Sequence, residues 1–424
     1  MTNILRSIRG PILAGVMAVG AASCSLDVTN PSVIDAGTFD PTKDGTTLAL
    51  SAQTNFYQAF QSVALYGGLI SDELWTGAIR LQTNRLASRT FAGSDDINAD
   101  FFALLSLAVA SNENAVTALA SGPDAASDVN LARASMNFGF STELMAETMC
   151  SGVIQGGPEL TDDQLLDTAI TAFSRAVTVA TAAGSAGAEI VNGANVGLAR
   201  AYLQKGDNAN AATAAALVPP SFVLNVVTSA NVSTQGSLGN LMYGTTVAGQ
   251  LVAPKRYRIH DALRDTTHVG DARLPIDSTQ PGSTLNSVPY IIQTKYTSYD
   301  APIRQASGLE AQYIAAEAEL HASGNTGPAL TLIAARRTAG GQPPYSGATD
   351  SESVLEELLN QRARDFWMEG KKLGDLRRNP TVSLPAVLTD PVGAPFYTSV
   401  GGGTFGSTFC APIPPEETNA NPNF

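Results

Sequence analysis

The chain has 424 residues, 44% of them hydrophobic and 15% charged, with 25 Lys and Arg against 38 Asp and Glu. That apolar fraction supports a sizeable core and excludes a disordered chain. The net charge of -13 repels phosphate backbones and anionic bilayers. Nucleic acid is therefore excluded as a partner, and any membrane attachment needs a device other than charge.

Such a device stands at the N-terminus. Arg6 and Arg9 form a positive region, followed by an apolar, small-residue stretch from Pro11 to Ala22. The stretch is shorter than the roughly 20 residues that cross a bilayer, so residues 1–23 read as a secretion signal. It ends in Ala21-Ala22-Ser23-Cys24, which resembles a lipoprotein signal-peptidase site, with Ala21 where Leu is usual. Small residues admit the backbone to the peptidase, and the Cys24 thiol accepts the lipid. The alternative is an ordinary cleaved signal with a chance cysteine. Residues 24–45 form a turn-rich tether containing Asn30-Pro31 and Asp40-Pro41. Export also frames Cys150 and Cys410, which permit a single intramolecular pairing in an oxidising compartment; two buried thiols are the alternative. Neither has a second Cys or a His at ligand spacing, which argues against a metal.

Residues 46–218 read as successive helices. The clearest opens with the capping box Thr161-Asp162-Asp163-Gln164 and carries Leu166, Ala169, Ile170, Phe173, Val177 and Ala180 on one face. Gly193, Gly197 and Ala201 then make a smooth ridge for a close neighbour, before a Gly206 turn and an Ala-rich helix. Paired helices with small residues at the crossing fit a tetratricopeptide-type hairpin, and a plain bundle is the alternative. No further apolar run is expected to reach membrane length. From 219 to 304 the pattern becomes an irregular excursion with short β-prone runs at 222–227 and 290–296. Helices resume at 309–322 and 328–338. A last one opens at the capping box Thr349-Asp350-Ser351-Glu352 and carries Leu355, Leu358, Leu359 and Phe366. Residues 379–424 are loop-rich.

The run from Gln361 to Arg378, with Asp365-Phe366-Trp367-Met368-Glu369-Gly370 and Asp375-Leu376-Arg377-Arg378, resembles the C-terminal signature of the SusD/RagB family. Arg304, Tyr313-Ile314-Ala315-Ala316-Glu317-Ala318 and Arg336-Arg337 resemble its preceding helix pair. Ala411-Pro412-Ile413-Pro414-Pro415-Glu416-Glu417 and Asn421-Pro422-Asn423 resemble its closing tail, and Cys24-Ser25-Leu26-Asp27 its mature start. Gln361 and Asp365 stand where the family usually has Glu, and Leu373 replaces an aromatic. The resemblance implies a mainly α, tetratricopeptide-like scaffold with an irregular ligand-facing insert, forming one domain over 46–424. It also implies a cell-surface lipoprotein that captures oligosaccharide, or another nutrient polymer, as the lid-like partner of a TonB-dependent outer-membrane transporter. Arg362 and Glu369, seven apart and so on one helix face, are expected to belong to a structural ion-pair network, and Arg364 and Asp365 to be solvated or helix-pairing.

Catalytic chemistry is sparse. There is no Gly-x-Ser-x-Gly elbow, His-Glu-x-x-His or P-loop, and the chain is expected to be neither an enzyme nor dependent on a cofactor. His260 and His268 flank Asp261 and Asp265 without a supporting third ligand, while His321 reads as compensation of a helix C-terminus. Sugar binding needs aromatic faces and polar partners. Trp75 follows Asp72-Glu73 just past the first long helix, where the family places ligand loops. Trp75, Asp72, Glu73, Tyr66 and Tyr296 are therefore the candidate ligand residues, with Tyr243, Tyr257 and Tyr299 as loop-prone alternatives. Rival readings are the same fold binding peptides, or a glycoside hydrolase using paired carboxylates such as Asp72 and Glu73.

Overall fold

The computed structural model describes residues 39–76, 80–231, 238–247, 251–252, 271–277, 291–380, 390–398 and 401–424. Cys24, the stretch 1–23 read as a secretion signal, Tyr257, His260, Asp261, Asp265 and His268 lie outside them. The chain forms two compact units, residues 1–44 and 45–424. In the first, the Asp40 carboxylate accepts from the Thr42 amide at 3.0 Å and from its hydroxyl at 2.7 Å.

The larger unit is mainly α. After α1 (Pro41–Ser62) come the short α2 (Leu81–Ala87) and the long α3 (Asp96–Leu119). Then α4 (Val129–Thr148), α5 (Asp162–Ala182), α6 (Ala188–Gln204) and α7 (Asn208–Ala216) each pack against the preceding helix. Small residues make this packing possible. A Cβ on Gly197 would stand 2.3 Å from the Phe173 ring and one on Gly139 2.7 Å from it. Phe173 therefore fills a slot cut by two glycines on neighbouring helices, and α4, α5 and α6 close around it. The expected capping box of α5 is present: Gln164 Oε1 accepts from the Thr161 amide at 2.9 Å, and Thr161 Oγ1 accepts in return.

A second helical group follows the irregular segment: α9 (Gly308–Ser323), α10 (Gly327–Ala339) and α11 (Ser351–Asp365), with the short α8 (Leu241–Thr246) before it. Tyr313, Leu320, Ile333, Val354, Leu358 and Phe366 form its core. Then come α12 (Lys372–Arg378) and α13 (Pro415–Ala420). The strands are short antiparallel pairs: β1 (Trp75–Thr76) with β3 (Leu251–Val252), β2 (Val223–Val226) with β6 (Ile303–Ser307), β4 (Ile276–Asp277) with β5 (Ile292–Gln293), and β7 (Pro395–Thr398) with β8 (Gly401–Thr404). Cys150 and Cys410 form a disulfide with Cα atoms 4.9 Å apart. Beside it the Cys150 amide donates to the Ala411 carbonyl and the Ala411 amide to the Thr148 carbonyl, both at 2.8 Å, so the bridge and two hydrogen bonds tie the tail to the end of α4.

Several local expectations are corrected. The buried face of α5 is turned towards Leu165, Ala172, Ala176 and Val179, leaving Ile170 and Val177 half-buried. The N-cap of α11 is Asp350, which accepts from the Ser353 amide at 2.9 Å, so the Thr349–Glu352 box does not form. α11 stops at Asp365, and Met368 (φ 61°) and Gly370 (φ 70°) turn the chain. Arg362 and Glu369 therefore share no helix face. Arg364 and Asp365 are buried; Asp365 takes Arg336 at 2.6 and 2.8 Å. Desolvation explains why they pair inside the protein, since an unpaired charge there would cost several kcal/mol, about 3–5. By length and composition α3 could cross a membrane. It is instead packed with α4, and its buried Asn112 donates to the Ala52 carbonyl at 3.0 Å.

Candidate functional site

The site grows from the way the first helix ends. A π-helical turn, Val63–Gly67, continues into Gly68–Ile70; such turns widen a helix and often sit beside functional segments. The Glu73 amide then donates to the Gly68 carbonyl at 2.7 Å and the Asp72 amide to the Leu69 carbonyl at 3.3 Å. This is a Schellman stop, with Asp72 rather than glycine in the left-handed position (φ 64°). A non-glycine residue there costs about 1–2 kcal/mol. Other contacts must hold it.

They do. The Asp72 carboxylate accepts from Arg89 Nη1 at 3.1 Å and from the Asp390 amide at 2.9 Å, while Arg89 Nη2 donates to the Asp390 carbonyl at 2.6 Å. The Arg89 guanidinium lies 4.6 Å from the Phe405 ring centre and 4.7 Å from that of Phe409. Three residues past Asp72, the half-buried Trp75 stacks on Phe396 (5.0 Å between ring centres, 27° between planes). It also meets Phe405 at 5.8 Å, and Phe396 meets Phe405 edge-on at 5.0 Å. The result is one partly exposed indole on a bed of two buried phenyl rings, with a buried ion pair beneath. Offset-stacked and edge-on contacts of this kind give about 0.5–1.5 kcal/mol each beyond area burial, enough to hold a ring in one orientation.

Behind the turn lies the signature segment. Trp367 Nε1 donates to the Glu73 carbonyl at 3.0 Å. Lys295 Nζ donates to the Trp367 carbonyl and to Glu369 Oε1, both at 2.6 Å, and Arg304 Nε donates to Glu369 Oε2 at 2.8 Å. Further in, Glu310 takes Arg200 at 2.8 Å and lies 3.6 Å from both Arg362 and Lys371, while Arg362 pairs with Asp375 at 2.8 Å. Burial alone would push the Glu310 carboxyl up, but Arg200, Lys371 and Arg362 outweigh it and hold it at about 2. Burial likewise raises Glu143 well above the carboxylate range, against the pull of Arg200. These charges fasten helices to one another.

Of the five candidates, Trp75 is half-buried and stacked on Phe396. Asp72 and Glu73 are 1% exposed and Tyr296 is 3% exposed, its hydroxyl donating to the Met368 carbonyl at 3.3 Å. These three support the platform from below. Tyr66, on the π-helical turn, is half-buried and meets Phe101 edge-on at 5.4 Å. Tyr243 and Tyr299 pair with each other at 4.9 Å. Phe396, Phe405, Phe409 and Arg89 were not expected at the site; the clustering of phenylalanines in the loop-rich tail was the available signal. Among the described residues no three His, Cys, Asp or Glu side chains gather to hold a metal.

The SusD family model matches residues 286–424. No curated protein sequence matches the chain. Among solved structures, the chain is similar to a SusD superfamily protein of Parabacteroides distasonis at TM-score 0.66 and 14% identity, covering 91% of this chain and 98% of that one. It is similar to a SusD homologue of Bacteroides thetaiotaomicron at TM-score 0.65 and 12% identity, covering 92% and 99%. It is also similar to surface glycan-binding protein A of Bacteroides uniformis at TM-score 0.62 and 14% identity, covering 89% and 98%. The family match falls on the segment that carries the Arg362–Arg378 signature, and the fold is shared across nine-tenths of the chain. The C-terminal third of the chain therefore matches the SusD family, and the chain as a whole has the SusD fold.

Proposed function

We propose that this protein is a non-catalytic glycan-binding lipoprotein of the outer membrane, anchored through Cys24 and acting as the lid-like partner of a TonB-dependent transporter. The observation that carries the binding half is the Trp75 indole, partly exposed, stacked on Phe396 and met edge-on by Phe405. A pyranose ring presents an apolar face of C–H bonds, and a fixed indole is its natural complement. The match of residues 286–424 to the SusD family supports the reading, as does the shared fold of a surface glycan-binding protein. The hydrolase alternative is disfavoured by the same turn. Asp72 is committed to Arg89, and Glu73 is sealed behind the platform, so the pair does not flank an open cleft.

The transport half is tested by extracting the lipidated protein from its native membranes, capturing it, and identifying what comes with it. A TonB-dependent barrel in near-equal amount is the expected result. Capture without a barrel removes the transporter partnership and leaves a surface binding protein. A capture enriched in peptides rather than oligosaccharides moves the ligand to the peptide class.

A further inference from the structure

Glu73 is an anomaly in the platform's foundation. Its side chain is 1% exposed, and neither carboxylate oxygen accepts a hydrogen bond of normal geometry. The Met368 amide is close enough to act on it without completing one. A buried group of this kind in a native structure calls for an explanation. The charged groups that face it are Lys372 on α12, Lys295 after β5, and Glu369 in the signature turn; the Tyr296 hydroxyl lies nearby. Lys295 is already engaged, donating to Glu369 and to the Trp367 carbonyl. Burial pushes the Glu73 carboxyl up to about 7, with Lys372 and Lys295 pulling the other way.

Position makes this group consequential. Glu73 lies between Asp72 (φ 64°) and the strand that carries Trp75, and it faces a second left-handed residue, Met368 (φ 61°). Left-handed non-glycine residues persist where their surroundings over-determine them, and they cluster at functional segments. The Glu73 carbonyl accepts from Trp367. Both tryptophans of the chain are therefore tied to this residue through the backbone, Trp75 two positions along and Trp367 on its carbonyl.

We propose that Glu73 is a proton-sensitive positioning residue: protonated, it lets the 71–75 turn seat against the 366–370 turn and hold Trp75 on Phe396; ionised, it loosens that seat. A neutral carboxyl tolerates a sealed site without strong donors, whereas a carboxylate demands donors or water. The sealed arrangement seen here is thus the protonated one. The sign follows from the raised value. The folded protein keeps a proton that the unfolded chain releases near the ordinary 4.5, so the seat weakens as pH rises from there to about 7 and levels off above. The consequence for ligand rests on the glycan-platform reading, while the effect on the turn does not.

The test is the intrinsic fluorescence of the whole folded chain, without ligand, between about pH 5.5 and 7.5. The expected result is a one-proton change in the wild-type signal approaching its midpoint at about 7, and in Glu73→Gln a flat signal at the low-pH value. The histidine variant His260→Gln/His268→Gln/His321→Gln is expected to keep the change, and Lys372→Met, which removes the largest charge pulling the Glu73 carboxyl down, to move its midpoint upward; an unmoved midpoint there overturns the proposal even if Glu73→Gln does not fold. A flat wild type, a change that persists in folded Glu73→Gln, or one that vanishes in the histidine variant would overturn the proposal. With soluble polysaccharide, wild-type affinity is expected to be at least about fivefold weaker at pH 8 than at pH 6, a typical coupling between linked sites. If no polysaccharide binds, the platform reading fails and the fluorescence arm still decides the proton switch.

Discussion

The Asp72 carboxylate and the Arg89 guanidinium meet at 3.1 Å inside the protein, with side chains 1% and 0% exposed, and both also bind the backbone of Asp390. This links the end of the first long helix to the segment entering β7. Removing Arg89 leaves a buried carboxylate with one donor fewer, on a residue already in a left-handed conformation. Arg89→Met should therefore destabilise the protein by about 3–5 kcal/mol in urea unfolding, the usual penalty for breaking a buried pair. A loss below about 1 kcal/mol would mean that the pair is hydrated like a surface one.

The slot for Phe173 gives a second prediction. A methyl group on Gly197 would fall 2.3 Å from the ring, whereas one on Gly403 would meet nothing within 4 Å. Gly197→Ala should lower the stability by about 1–3 kcal/mol through overpacking, and Gly403→Ala should stay within about 0.5 kcal/mol of the wild type. Thermal melts of the two variants check this. Equal melting temperatures would show that α4–α6 relax around the ring.

Much of this was legible in the sequence because local chemistry wrote it. The Thr161–Gln164 box, the Gly193/Gly197/Ala201 ridge and the Gly206 turn act within a few residues, and helices formed where they point. The signature run was recognisable, but its shape was not. Unbroken helical spacing from Leu355 to Glu369 hid the left-handed turn at Met368, which is imposed by contacts with Lys295, Tyr296 and Glu73. Long-range pairing also hid the burial of Arg364 and Asp365, because their partners Asp271, Tyr313 and Arg336 are 29 or more residues away. For the candidate site, Trp75 was legible as an aromatic after the first helix. Its bed of Phe396 and Phe405 was not, since the two segments are joined by more than 300 residues of chain.

Acid stability follows from Glu310. Its carboxyl is held at about 2 against the ordinary 4.5, so its contribution is fully present above about 4.5 and is lost as pH falls towards 2. The shift corresponds to roughly 3 kcal/mol. Glu317 is also held down, by Arg378 acting against burial, and keeps part of the same dependence. Unfolding free energy measured from pH 5 to pH 2 should fall steeply in the wild type and less steeply in Glu310→Gln. Parallel slopes would mean that Arg200 and Lys371 do not stabilise the ionised form.

The disulfide between Cys150 and Cys410 closes a loop of 260 residues. Cross-links of long loops stabilise by about 2–5 kcal/mol, largely through the unfolded chain. Cys150→Ser/Cys410→Ser should lower the urea midpoint with little change in ligand affinity, because the bridge lies at the end of α4 and not in the Trp75 platform. An unchanged midpoint would show that the Met149–Ala411 backbone pairing holds the tail by itself.

The central claim is that a single supported indole captures glycan. Its most direct test is isothermal titration of a panel of soluble polysaccharides into the wild type and into Trp75→Ala, with circular dichroism confirming that both are folded. The account predicts binding of at least one polysaccharide by the wild type and a loss of at least about tenfold, or 1.4 kcal/mol, in the variant. Undiminished affinity in folded Trp75→Ala, or a wild type that binds none of the panel, would contradict it.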